Sequence, residues 1–278
     1  MRNGWRGAIQ PAGYFRMWLH APRTWWMLAS MLLLCLMQVR EEWLYRLQNE
    51  SLYPLEIITY HFYGGFNLMM SSGIFLMGCS EIPQRISWQQ QSLIRSSRRA
   101  WLFGHIGQCV LMVCATIGMM IAVALLASLG HLRPGIGWSD LERIERMEIL
   151  PWDSIIPQYL IENTSPWQGA AMTVLPVMLF WLTMLLVILL SGMTSRPHVG
   201  LLICAFAVLS YVCILSEDGW LGYFALFHYT RLSGMDLEAH GMSYFWKVMI
   251  GYGVLDAGLI VTMIARVKRT DFAFSSGI

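Results

Sequence analysis

The sequence predicts an all-α polytopic membrane protein: one domain, six transmembrane helices, both ends on the same side. Three observations lead there. Hydrophobic residues fill 56% of the 278 positions and charged residues only 13%, whereas a soluble domain carries about 25% charge. The apolar residues gather into six runs near the roughly 20 residues that a helix needs to cross a bilayer. Basic residues then sort to alternate loops, as they do when a chain weaves through a membrane. A chain this apolar cannot cover its surface with polar groups. That excludes a disordered protein, a coiled coil, a secreted disulfide module and an ordinary cytosolic enzyme.

Taken in order, residues 1–23 come first, with Tyr14-Phe15-Arg16-Met17-Trp18-Leu19-His20 mixing aromatic and basic side chains. Such a mixture suits a short helix lying in the membrane interface before the chain turns inward at Pro22; the alternative is a disordered tail with an aromatic belt. The six spans are expected at Trp25–Val39, Ile57–Cys79, Trp101–Ser128, Ala170–Met193, Val199–Leu215 and Val248–Ala265. No small-residue cleavage site follows the first run, so it reads as a span and not as a signal peptide. Residues 80–100, SEIPQRISWQQQSLIRSSRRA, are longer than a hairpin needs. Ser80 can cap a helix there, Glu81 suits its N-terminal dipole, Pro83 is tolerated in the first turn, and Arg95, Arg98 and Arg99 suit its C-terminal end. The result is a short surface helix showing a polar face and one aromatic, Trp88; the alternative is a basic loop held by anionic head groups.

Two long segments lie on the other side. Residues 129–169 carry the capping-box pattern Ser139-Asp140-Leu141-Glu142, which predicts a small soluble helix, and then Pro151, Pro157 and Pro166. Residues 216–247 contain the apolar run from Trp220 to Tyr229, too short to span and expected to re-enter or lie in the outer leaflet.

Charge sets the orientation. The side holding both termini collects twelve basic residues against Glu81 and Asp271, a net of +10, while the other side holds seven basic and fourteen acidic residues, a net of −7. Basic loops stay inside, so both termini are expected in the cytoplasm. The six cysteines, Cys35, Cys79, Cys109, Cys114, Cys204 and Cys213, sit in or beside apolar runs without a C-x-x-C pair and read as small core hydrophobes, not as ligands.

The familiar catalytic patterns are missing. A P-loop ends in Gly-Lys so that the lysine reaches the phosphates, but the two lysines, Lys247 and Lys268, follow Trp246 and Val267. H-E-x-x-H and G-x-S-x-G are absent as well. Among polar residues inside the spans, Asp256 stands out, because a centred Asp costs about 2.5–3.5 kcal/mol to insert. It lies in GYGVLDAGL near Gly251, Gly253 and Gly258. Asp256, His61 and Asn67 are candidates either for a pathway or for helix packing; His105 reads as structural.

Taken together, the interfacial segment ending in HAPRTWW, the six spans, the E-I-P-x-R stretch followed by S-S-R-R before span three, and WLGYFALFHY before the last span resemble the membrane (permease) subunit of type-2 ABC exporters. The resemblance covers the whole chain as architecture. It implies that the N-terminal segment is an elbow helix, that 80–100 is a coupling helix seated on a separate ATPase, and that the stretch before the last span is re-entrant. Glu81, Pro83, Arg85, Trp88 and Gln91 would then contact the ATPase subunit. No cofactor belongs to this chain on that reading, since ATP and Mg sit on the partner. The other implied partners are a second copy or a related permease and the lipid bilayer, with no nucleic acid, in a bacterial cytoplasmic membrane. The expected function is export of a hydrophobic or amphipathic compound. The alternative is a membrane sensor, immunity or assembly protein of the same architecture; an intramembrane enzyme using Asp256 is the remote third.

Overall fold

A computed structural model describes residues 10–41, 52–80, 82, 98–138, 158–194, 197–214, 226–230, 232–235 and 237–269. Ten α-helices occur among them: α1 Gln10–His20, α2 Pro22–Glu41, α3 Pro54–Tyr63, α4 Gly65–Cys79, α5 Arg98–Ala127, α6 Gln158–Asn163, α7 Pro166–Gly192, α8 Pro197–Ile214, α9 Leu237–His240 and α10 Met242–Arg269. Short 3₁₀ turns cover Leu129–His131, Leu226–Thr230 and Leu232–Met235. No strand is present among the described residues; the one sheet-like feature is an isolated parallel bridge between Leu52 and Leu132.

Helices lie over all six apolar runs. Among the described residues, three are long and apolar enough to cross a membrane, within Arg99–Ala127, Pro166–Gly192 and Met242–Val267. At 1.5 Å per residue each measures about 40 Å, more than the hydrocarbon core requires. The surface agrees with the sequence: Leu33, Leu36 and Met37 on α2, Phe206 and Leu209 on α8, and Ile250, Val254 and Val261 on α10 are exposed apolar side chains. Soluble proteins seldom show so much contiguous apolar surface. The protein is membrane-embedded.

The bundle is built around α7, which packs against α3, α5, α8 and α10. This helix is apolar on every side, the pattern of a helix buried all round, and Phe180, Trp181, Leu185, Leu186 and Leu189 have almost no exposed surface. Its start is fixed by a reciprocal cap. Ser165 Oγ accepts from the Gln168 backbone N–H, and Gln168 Oε1 accepts from the Ser165 N–H at 2.9 Å. Pro176 lies within α7, a position that membrane helices tolerate better than soluble ones.

The expected second span, Ile57–Cys79, is not one helix. It breaks at Gly64 (φ −68°, ψ 120°) into α3 and α4. Two adjacent glycines, each about 1 kcal/mol poorer than alanine in a helix, make this the weakest point of the run. The break takes the amide partner from the His61 carbonyl, and Gln38 of α2 replaces it, Nε2 donating at 2.8 Å. Glu56, which the sequence placed in the loop outside the membrane, is buried in α3 and accepts from the Tyr53 N–H at 3.3 Å through Oε2.

The N-terminal helix α1 turns sharply into α2 at Ala21. The Ala21 N–H donates to Trp18 O at 3.1 Å, and Thr24 Oγ1 donates to the same carbonyl at 2.5 Å. The expected short helix is therefore present, yet Tyr14 and Trp18 are buried in the bundle. At the far end, Trp138 Nε1 donates to Thr164 O at 3.0 Å, and its ring lies against Gly169. That contact joins the chain leaving α5 to the start of α7. The helix expected after Ser139 falls outside the described residues.

Candidate functional site

Among the described residues, two side-chain hydrogen bonds on α7 join it to α10 and to α4. On one side, Asp256 of α10 accepts from Thr183 Oγ1 at 2.7 Å through Oδ1. Asp256 is 6% exposed, and Oδ2 is buried without a hydrogen-bond partner among the described residues. One turn away on α10, the Tyr252 hydroxyl meets Thr230 Oγ1 at 3.0 Å. Thr230 comes from the 3₁₀ turn before the last helix, and Phe227 of that turn packs edge-on against Phe180 of α7, with centroids 5.5 Å apart. The turn, α7 and α10 are thus joined by three hydroxyls, one carboxyl and an aromatic pair.

On another part of α7, Trp181 Nε1 donates to Ser72 Oγ of α4 at 2.9 Å. The same indole stacks on Phe75 at 4.3 Å and 12°. Because Ser72 and Phe75 are three residues apart, they share a face of α4 and receive the indole together.

His61 is buried in α3 with neither ring nitrogen bonded among the described residues, its ring lying edge-on to Phe62 at 5.3 Å. Asn67 is half-buried near the start of α4. No hydrogen bond among the described residues joins His61, Asn67 and Asp256. Asp256 has a hydrogen-bond partner on a neighbouring helix; the His61 ring nitrogens have none among the described residues.

His105 is buried where α1 lies along α5. Its ring stacks on Tyr14 at 4.2 Å and meets Trp101 edge-on at 4.6 Å. Nδ1 lies 2.9 Å from Gln108 Oε1, and because that oxygen only accepts, Nδ1 is the donor. The Gln108 amide then donates to Tyr14 O at 3.3 Å. Pro11 fits against Gly107, where an added Cβ would lie 3.0 Å from the proline ring. These contacts fasten α1 along the first turns of α5.

The residues expected to meet an ATPase, Glu81, Pro83, Arg85, Trp88 and Gln91, fall outside the described residues; α4 ends immediately before them and α5 begins just after. Sequence reasoning passed over Thr183, Ser72, Trp181 and Gln38. Each is a polar or hydrogen-bonding group in an apolar run, which is the signal that drew attention to Asp256. Four cysteines, Cys35, Cys79, Cys109 and Cys204, are buried and Cys114 is exposed. The described residues contain no group of three or more His, Cys, Asp or Glu placed to hold a metal ion. No protein-family model matches this chain, and neither a curated protein nor a solved structure matches it.

Proposed function

We propose that this chain is the permease subunit of an ATP-driven exporter of the type-2 ABC class, moving a hydrophobic or amphipathic compound across the cytoplasmic membrane. The observation that carries the reading is that α1 packs along the first turns of α5, the helix that follows residues 81–97. The segment with E-I-P-x-R leaves α4 and enters α5 there, on the side with a net charge of +10. The N-terminal helix is clamped to α5 beside it through Tyr14, His105 and Gln108. A force applied to residues 81–97 by a separate ATPase acts directly on two core helices and on α1. The exposed apolar faces of α2 and α8 support six crossings, although each helix is shorter than the three long ones.

In this reading α1 is the elbow helix, 80–100 is the coupling helix, and the buried 3₁₀ turn at Leu226–Thr230 belongs to the re-entrant stretch. ATP and Mg are held by the partner, and a second permease copy or a relative completes the pathway. A second reading, a sensor, immunity or assembly protein, has one observation in its favour: Asp256 and Ser72 are engaged with neighbouring helices.

The test is purification of the tagged chain in mild detergent, with stoichiometric partners identified and ATP hydrolysis measured. The expected result is a co-purifying ATPase that is lost on charge reversal at Glu81 and Arg85. Absence of an ATPase under conditions that keep the chain folded overturns the exporter and brings the sensor forward.

A further inference from the structure

A groove of about 580 Å³ opens on the surface between α2, α4 and α8, within the roughly 300–1,000 Å³ typical of small-molecule sites. Its walls are apolar: Trp26 comes from α2, Ile74 and Met77 from α4, and Leu201 from α8. Trp26 and Met77 are 75% and 74% exposed, so both stand up as rims. Its floor is closed where α2 touches α4, since a Cβ on Gly78 would lie only 2.7 Å from Met27 Cβ. Polar groups gather at one end, where Arg23 opens α2 and Ser80 follows the last residue of α4. From Ser80 to Ile74 the groove runs along nearly two turns, about 9 Å of helix.

We infer that this groove binds an anionic phospholipid of the cytoplasmic leaflet, with the phosphate at Arg23 and the upper part of an acyl chain between Trp26 and Met77. The occupant follows from the polarity of the groove. One end carries a guanidinium, which pairs with phosphate through two parallel N–H bonds, and the remainder carries hydrocarbon. An amphiphile with one anionic end fits both parts at once. The cationic end also faces the side with a net charge of +10, where anionic head groups are attracted to basic residues. A free phosphate leaves the apolar walls uncovered, and a soluble protein cannot reach the part of the groove below the head groups. The inference rests on the six-span orientation and not on the export reading.

The experiment is lipid titration of the purified full chain in detergent, followed by native mass spectrometry, with phosphatidylglycerol and phosphatidylcholine of identical acyl chains. The expected wild-type result is one tightly retained phosphatidylglycerol per chain, preferred over phosphatidylcholine by about fivefold, the effect of one cation near an anionic surface. Arg23→Gln is expected to bring the two lipids to near parity, whereas Arg16→Gln, an exposed cation on α1, keeps the preference. Ala205→Phe, which fills the groove and leaves the cation in place, is expected to weaken retention of both lipids. Equal retention of the two lipids by the wild type overturns the proposal, as does an unchanged preference in Arg23→Gln. Displacement of the lipid by millimolar inorganic phosphate overturns it in favour of a simple anion site. A fluorescent reporter fused to the C-terminus reads the orientation independently, and ATPase co-purification with Arg23→Gln is expected to be unchanged, so a failed groove and a failed permease reading are told apart.

Discussion

Trp181 and Asp256 are the two side chains whose partners decide how α7 is held. Ser72 supplies the acceptor for the Trp181 indole, so Ser72→Ala leaves a buried N–H without a bond. That is expected to cost about 1–3 kcal/mol, read as a lower midpoint of thermal unfolding in detergent. Trp181→Phe keeps the stack on Phe75, and the Ser72 hydroxyl is left free to turn to its own helix. At Asp256 the order of effects is the informative quantity. Asp256→Asn keeps an oxygen for Thr183 and removes the charge, so folded protein is expected at wild-type levels or above. Thr183→Val takes the donor from a buried carboxyl and is expected to be the more damaging, by about 1–3 kcal/mol. A midpoint lower for Asp256→Asn than for Thr183→Val would show that the charge itself is needed. Asp256 was legible in the sequence as one acidic residue in an apolar run. Its donor was not, because Thr183 lies 73 residues away and a threonine inside a span usually bonds its own helix; Leu179 O, 2.9 Å from the same hydroxyl, competes with Asp256 for its one proton.

Between elements, the break at Gly64 and the close helix contacts carry the expectations. Gln38→Leu removes the bond from α2 to the carbonyl freed by the break. The expected loss is about 1–3 kcal/mol, with faster amide exchange around residues 61–66 as its local signature. Gly200→Val should be worse, because its Cβ would meet Ser191 and the Val187 carbonyl at 2.9 Å. Backbone cannot retreat as a side-chain end can, so α8 must move away from α7, and little folded protein is expected in detergent. The Gly64-Gly65 pair was visible beforehand but lay inside a 23-residue apolar run that reads as one helix on hydropathy alone. The Ser165 cap was equally readable as S-x-x-Q, yet it sits next to Pro166 in a loop dominated by prolines. Capping patterns are short and local, and whether a helix follows depends on what it packs against.

Across the whole molecule, hydropathy located the helices well because it is summed over many residues. It overstated the uniformity of the expected spans. Three helices have the length and apolarity to cross alone, whereas α2 carries Arg23, Gln38 and Arg40, the second run is broken, and α8 is short. Such helices gain stability from their neighbours, a contribution that no window along the chain can register. The orientation is testable at this scale. A C-terminal fluorescent protein is expected to fold and emit, while alkaline phosphatase fused at the same place stays inactive; phosphatase inserted near residue 150 is expected to be active. The reverse pattern would invert the molecule and remove the cytoplasmic address of residues 81–97.

The clamp between Tyr14, His105 and Gln108 gives the first helix an unintended use. Because α1 is fixed to α5 by ring stacking and by a relay of two hydrogen bonds, it behaves as an outrigger on the helix that emerges from residues 81–97. A spin label on exposed Arg16 would then swing with α5 during any working cycle. If the export reading holds, distances between two such labels in a dimer would record the stroke without a probe in the transport route.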